Sequence, residues 1–528
     1  MGDLLCILSS MQVRSIKTSK RASVLVTRLL VVGLALATTI FFGSGAATSP
    51  LGAQAVSRPP VAIGDQIAGS FGDATGHSAQ SHLVYAVNSR VWWLFTLTST
   101  ADSEGGTNHV VKTFRSSGPD LATATWIAGA DSPAAAAASP NAFMGGGRAL
   151  GVAYLDNSPV DVIHADISMA FDGQDGRTGH IRAVVTGTSI TWSSWNFFDE
   201  PAAMWTLPHG NTIGVSSGKF IHTGGPILQQ EVDANVRKSN NADTGSTWAN
   251  GFSVPAVIDG SMVNQDNALA FAPLANNVML AVYDNGQGIE PNLTNLRYKR
   301  SNAGGAWSSI VVGSQAGGDG NVFSTNATID QNDWGLVSVS TNQVYGFRRK
   351  ANGSGIDASS YNVAANTWSA MSPAPPALGT GQSFKAGAGL FGATDGTSVW
   401  VCVISTDIAN SILCSRFDGT AWTPWSIVAG TEIGSQNRNY ISGSPQVGNS
   451  QIGLIWTEGT SLFDVVATSF AATPDVKPPT VTLTTPADGA TVTGTIPISA
   501  TASDNVGVAG VQFRLDGLDL AVEVTVPP

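Results

Sequence analysis

Asn241-Ala242-Asp243-Thr244-Gly245-Ser246-Thr247-Trp248 is the stretch on which the reading of this chain turns. It places a tight polar turn between a β-patterned run, 232–238, and a closing Trp. An Asp carboxylate accepts backbone N–H groups inside such a turn, and Gly245 can adopt a positive φ. The Trp then covers neighbouring strands with a large apolar ring. Degenerate copies end in Trp126, Trp192, Trp307, Trp368 and Trp422, so that with Trp248 the successive spacings are 66, 56, 59, 61 and 54 residues. A repeat of that length filled with short strands predicts a propeller or an array. The six Trp therefore read as blade packing, and the Asp turn as a fold signal without catalytic duty.

Seven polar turns support the same division. They are Asn88-Ser89, Asp156-Asn157-Ser158, Ser217-Gly218, Asn276-Asn277, Thr341-Asn342, Asp395-Gly396 and Gly448-Asn449-Ser450. Each sits between a small-residue apolar strand and a more aromatic one, as in 91–95 and 399–403. Seven hairpins against six closing Trp leave the last unit without an outer strand. A ring must close or expose a strand edge. The β-like piece 61–70 is placed to fill that gap. The expectation is an all-β, seven-bladed propeller over 56–470, with six blades as the alternative.

The turn resembles the Asp box of sialidase-like β-propellers, Ser-x-Asp-x-Gly-x-Thr-Trp, with Asn241 in place of the Ser and Asp243, Gly245 and Trp248 matching. That resemblance implies the propeller fold. It also implies what a sialidase would need: three Arg to clamp a carboxylate, a Tyr–Glu nucleophile pair and an acid/base Asp. The nearest string to that family's first Arg motif, Ser57-Arg58-Pro59-Pro60, lacks the aromatic and the Ile, so no catalytic residue is carried over. Units such as Phe417-Asp418-Gly419-Thr420-Ala421-Trp422-Thr423-Pro424-Trp425 also resemble those of propeller lectins. After a Pro-rich linker, 471–479, the motifs Pro486-x-x-Gly489, Asp504-Asn505-x-Gly507-Val508 and Asp516-Gly517 resemble bacterial immunoglobulin-like modules. Residues 480–528 read as part of such a β-sandwich.

Composition narrows the classes further. Only 12% of the 528 residues are charged and Gly numbers 59, a mix suited to turn-rich extracellular β structure. Basic residues from Arg14 to Arg28, an apolar run 29–42 and Ala53-Gln54-Ala55 read as a signal peptide spanning 1–55, with an uncleaved membrane anchor as the alternative. The chain beyond it has 21 Lys+Arg against 36 Asp+Glu. So acidic a chain repels phosphate backbones, which excludes nucleic acid as a partner. Secretion or cell-surface display follows, with no stable membrane insertion once the signal is cleaved. Cys402 and Cys414 stand equidistant from Ile408 across a hairpin, where an exported protein can form a disulfide.

Ligands of propellers bind where loops enter the innermost strands. The residues at those entries are His82, Arg148, His209, Asp266, Asp333, Trp334, Lys385, Arg438 and Tyr440. Cations, carboxylates and a Tyr on one face suit a sugar or a carboxylated ligand. The seven His show no zinc-hydrolase spacing, so no metal ligand is assigned. The loops 172–176 and 318–321 are oxygen-rich and complete no calcium pattern. No cofactor is expected, calcium being the one ion these loops admit. The reading is glycan or surface-glycoprotein binding without catalysis, with a sialidase-type exo-glycosidase or a structural adhesive domain as alternatives.

Overall fold

The computed structural model describes residues 12–15, 21–26, 61–62, 75, 80–101, 107–121, 124–137, 150–171, 175–199, 212–228, 232–245, 248, 251–253, 256–259, 269–284, 292–293, 296–308, 320–325, 327, 329–330, 332–379, 382–406, 410–428, 430–431, 437–460, 463–472, 480–487, 490–503, 510–515 and 518–520. The chain divides into two compact units, one formed mainly by 60–425 and 431–472, the other including 473–528.

The larger unit is a seven-bladed propeller. Blade 1 is a meander of Leu83–Ala86, Val91–Ala101, Thr107–Ser116 and Trp126–Ala128. Blade 2 runs Leu150–Asn157, Val160–Phe171, Asp175–Thr186 and Ser189–Trp192. Blade 3 follows with Thr212–Val215, Ile221–Leu228, Val232–Lys238 and Ala256–Asp259. The innermost strands of blades 4, 5 and 6 are Leu269–Pro273, Trp334–Ser340 and Leu390–Thr394. Each innermost strand lies beside the next around the ring, and the seventh, Arg438–Gly443, returns to the first.

The seventh sheet closes as expected. Its order is Arg438–Gly443, Gln451–Gly459, Phe463–Ala471 and then Val61–Ala62 from the other end of the chain. Val61 pairs with Ala467 and Ala62 with Val466, antiparallel. This added strand covers the edge that Phe463–Ala471 would otherwise present.

Packing between blades explains the Trp repeat. Trp126 of blade 1 packs on a cluster containing Tyr85, Trp92, Ile455 and Val465, shared with blade 7. Trp192 of blade 2 packs on Trp93 and Phe95 of blade 1 together with Ile163 and Ile181. Trp248, Trp307 and Trp368 repeat the arrangement at the next three junctions, and Trp422 meets Phe347 of blade 5 edge-on at 6.0 Å. All six are half-buried. Each ring packs against the preceding blade, so six of the seven blades complete their packing only with their predecessor.

Cys402 and Cys414 are directly opposed on adjacent strands of blade 6 and form a disulfide, Cα–Cα 4.1 Å. In the smaller unit Thr480–Thr485 pairs antiparallel with Ser499–Ser503. Val481 and Val511 form its small core with Leu483, Val492 and Phe513. In the same unit Gln12–Ser15 pairs with Arg21–Val26, which runs parallel to Gly510–Leu515. The apolar run 29–42 of the expected signal lies outside the described residues.

The closing strand yields a test. Replacing both Val61 and Ala62 with Pro removes two backbone donors and the strand's ability to pair. The expected result is a Tm lowered by several degrees and concentration-dependent association through the bared edge. Calorimetry and light scattering would read both, and unchanged values would show that closure does not depend on this strand.

Candidate functional site

The described channel face is built by blades 5, 6 and 7, whose innermost strands start at Trp334, Leu390 and Arg438. Backbone hydrogen bonds tie these starts together: Leu390 N–H donates to the Asn332 carbonyl (3.0 Å) and Ile441 N–H to Ala388 (2.8 Å). The entry residues therefore sit at fixed spacing around the channel mouth. The loops entering blades 2, 3 and 4 are outside the described residues, and Arg148, His209 and Asp266 with them.

Asp333 is almost fully buried at 1% exposure. Both its oxygens accept the Gly387 N–H, at 3.1 and 3.2 Å, and Arg349 Nη1 lies 3.8 Å away. Burial first, and then the nearby Asp330 carboxylate, pushes Asp333 up to about 7 against the opposing pull of the Gly387 amide and Arg349. Gly387 has φ +69° and approaches Asp330 so closely that a Cβ there would lie 2.9 Å from its Oδ2. A side chain at 387 would disrupt the junction between the two carboxyls.

Lys385 is half-buried, which lowers its pKa. It donates to Asn437 Oδ1 at 2.7 Å and to the Arg438 carbonyl at 2.8 Å, linking blade 6 to blade 7. Arg438 is 3% exposed and donates to Glu458 Oε1 (2.7 Å) and to the carbonyls of Asn410 and Thr431, both 3.1 Å. Trp456 donates to the same Glu458 oxygen at 2.8 Å. Tyr440 has φ +52°, and its carbonyl accepts the Thr75 hydroxyl at 2.6 Å.

Four of the expected ligand contacts are corrected by these positions. His82 is wholly buried, its Nε2 2.8 Å from the Leu150 carbonyl, and it joins the innermost strands of blades 1 and 2. Trp334 is a core residue packed between blades 4 and 5. Asp333 and Arg438 lie at the expected place in the ring but beneath its surface. The sequence showed that these residues precede strands. It did not show which way the chain turns their side chains.

Lys385 and Tyr440 are half-buried. So are Asp330, Asn437 and Asn439, none of which the sequence reading singled out, and Lys385 is hydrogen-bonded to Asn437. A signal was present: each lies within four residues of an entry already identified. These side chains are an ammonium, a carboxylate, two amides and a phenol, all of types that pair with hydroxyls, although Lys385, Asn437 and Asp330 already have protein partners.

The Asp turn is a junction between blades 2 and 3. Asp243 is fully buried and accepts the Gly245 N–H at 2.8 Å, with Gly245 at φ +94°. The indole of the half-buried Trp248 donates to the carbonyl of exposed Asn241 at 3.1 Å. From blade 2, Arg182 forms a two-pronged pair with the Asp243 carboxylate, and His164 Nε2 lies 3.0 Å from Oδ2. These donors hold Asp243 well below the usual carboxylate range against the opposing cost of burial. In the related turns, Asn302 accepts from Gly304 and Ala306, and Asp418 from Thr420 and Ala421. Of the two oxygen-rich loops, residues 172–174 and 318–319 lie outside the described residues.

A family model described as a bacterial Ig domain matches residues 479–527. No curated protein matches the chain. Among solved structures the chain is similar to the polysaccharide lyase Uly1, at 9% identity and TM-score 0.43 over 79% of this chain and 99% of the other. It is similar to an ulvan lyase of polysaccharide lyase family PL25 at 11% identity and TM-score 0.43, over 78% and 96%. The NanB sialidase of Streptococcus pneumoniae is similar at 11% identity and TM-score 0.36, over 76% and 70%. All three likenesses are of fold.

Asp333 predicts a pH dependence. Its raised folded value means that the native state keeps a proton which the unfolded chain releases above its ordinary value of 3.8. Stability therefore declines as pH rises from about 4 to about 7 and levels off beyond. Asp333→Asn removes that decline and is expected to be more stable than the wild type at pH 8 by about 1–3 kcal/mol. Equilibrium unfolding at pH 4.5 and 8 checks it; parallel behaviour of the two proteins would refute the assignment.

Proposed function

We propose that the propeller binds glycans at the channel face of blades 5–7 and does not cleave them. The observation that carries this reading is the division of charge at the mouth. Among the described entry residues, the groups fit for acid–base or carboxylate-clamp chemistry are occupied beneath the surface, Arg438 by Glu458 and Asp333 by Gly387 and Arg349. Arg348 is likewise 3% exposed and paired with Asp357. Buried guanidiniums with protein partners cannot close on an incoming carboxylate. The half-exposed layer above them, Lys385, Asp330, Asn437, Asn439 and Tyr440, is of the hydroxyl-pairing type that sugar sites use.

In this reading the likeness in fold to polysaccharide lyases and a sialidase is one of scaffold, since a fold hosts many chemistries. The acidic balance of the chain and the immunoglobulin-like module fit an exported protein working at or beyond the cell surface. Its partners are then a glycan or a surface glycoprotein, and nucleic acid is excluded by charge.

The test is a mixed glycan array probed with the full chain, with free sugar in the wash quantified. Retention on particular glycans without release is expected. Lys385→Ala should weaken retention about tenfold, the scale of one charge-assisted hydrogen bond. Released terminal sugar or unsaturated fragments would establish an enzyme instead. Absence of both retention and release would favour a structural, adhesive role.

A further inference from the structure

Across the junction of blades 2 and 3 runs a buried row of side chains, Asp166–His180–His164–Asp243–Arg182. Asp166, His180, His164 and Asp243 are all fully buried. His164 and Asp166 lie on one strand of blade 2 and pair in register with Arg182 and His180 on the next, so that all four share one face. Asp243 reaches them from the turn of blade 3.

Three contacts join the row. Asp166 Oδ1 lies 2.5 Å from His180 Nδ1, His180 Nε2 lies 3.2 Å from His164 Nδ1, and His164 Nε2 lies 3.0 Å from Asp243 Oδ2. Each requires one hydrogen between its atoms. Two neutral imidazoles supply two, and Arg182 supplies none to these three contacts, its hydrogens going to both Asp243 oxygens and to the Gly245 carbonyl. One contact would then set lone pair against lone pair in a site without water access, an arrangement costly in a low-dielectric interior.

We propose that the native propeller binds one additional proton in this row, in the Asp166–His180 contact, as a structural component of the blade 2–3 junction. The same count holds whether that proton rests on His180 or on Asp166. It also balances charge: two carboxylates stand against Arg182 and one proton. Burial holds His164 down to about 4, so its single proton serves Asp243 through Nε2 and its Nδ1 accepts from His180. Asp243, held low by its donors, remains the anion. The extra proton thus falls at the other end, where Asp166 Oδ2 has no hydrogen-bond partner among the described residues. A bare carboxylate there would be a poorly solvated buried charge.

The other faces of the row are apolar. Trp248 packs on both imidazoles, at 5.0 and 5.3 Å between ring centroids, and Phe252 on His180 at 4.9 Å. Phe198 completes the cover at 6.4 Å from His180. The remaining cations near the junction are engaged elsewhere: Arg237 lies over the Phe198 ring, and Lys219 donates to Asn157 Oδ1. Neither supplies a hydrogen to the row.

Linkage gives the sign. Above about pH 6.5 the unfolded chain's two imidazoles are neutral. The native state then holds one proton more than the unfolded, so the row's contribution to stability falls as pH rises. The folded-to-unfolded ratio drops tenfold per pH unit until the native proton leaves. Asp166→Asn is the matched variant, because an Asn amide brings its own hydrogen to His180 Nδ1 and all three contacts are satisfied without an added proton.

Equilibrium denaturant unfolding of the full chain between pH 7 and 9 is the experiment. The wild-type ratio is expected to lose tenfold per pH unit relative to Asp166→Asn. Should that variant fail to fold, proton NMR of wild-type protein labelled with ¹⁵N-histidine, at pH 8, gives a separate readout. Three protected downfield proton resonances linked across the row are expected, all three coupled to ¹⁵N if the added proton rests on His180 and two of the three if it rests on Asp166. Parallel stability curves, or only two such resonances, would overturn the proposal.

Discussion

In six of the seven blades a closing Trp packs against the preceding blade as well as against its own. Trp192 lies on Trp93 and Phe95 of blade 1 with Ile163 and Ile181, and Trp126 on Ile455 and Val465 of the last blade with Tyr85 and Trp92. Burial of apolar area is non-directional, but here it can be completed only when the ring closes. The first and last sheets are consequently dependent on one another although they are remote in sequence. The strand Val61–Ala62 adds hydrogen bonds to the same closure at the point where Phe463–Ala471 would otherwise end the sheet. Burial and backbone pairing therefore demand the same topology.

Polar side chains are distributed to serve this closure as well. Asp161 is fully buried and accepts from Asn88, Ser89 and Tyr154, joining the turns of blades 1 and 2. Asp243 does so for blades 2 and 3, and Asp333 for blades 5 and 6. Asp161 and Asp243 are carboxylates removed from water and offset by several N–H or O–H donors, whereas Asp333, with fewer donors, is pushed up to about 7 by burial. Apolar contacts give cohesion between blades. The polar contacts fix their rotational register, because they are satisfied at one geometry only.

This use of charge shapes what remains at the channel mouth. Arg438 and Asp333 stand where a ligand-binding propeller would place its reactive groups, but neighbouring strands engage them first. The layer above is mild: amides, one ammonium, one carboxylate and a phenol. In the proposed reading such a surface pairs with hydroxyls, while the strong charges of Arg438 and Asp333 serve the contacts between strands.

Local patterning made much of the architecture legible. The turn Asn241–Trp248, the recurring Trp and the seven hairpin turns are short-range features, and short-range features fix strands and point to the donated strand that closes the ring. The facing of Cys402 and Cys414 follows likewise from hairpin symmetry. The site was legible only in outline. His82, Asp333, Trp334 and Arg438 precede or begin innermost strands as read, yet their side chains turn inward. That direction depends on partners distant in sequence: Leu150 of blade 2 for His82, Gly387 at the entry to blade 6 for Asp333 and, within blade 7, Glu458 on the adjacent strand for Arg438. By itself, then, the sequence pointed to a closed ring of antiparallel sheets, seven with six as the alternative, and an immunoglobulin-like module. The tertiary structure alone decided the blade number and which charged groups are buried against which strands. Strand pattern is a local property, whereas the partner of a buried charge comes from residues tens to hundreds of positions away.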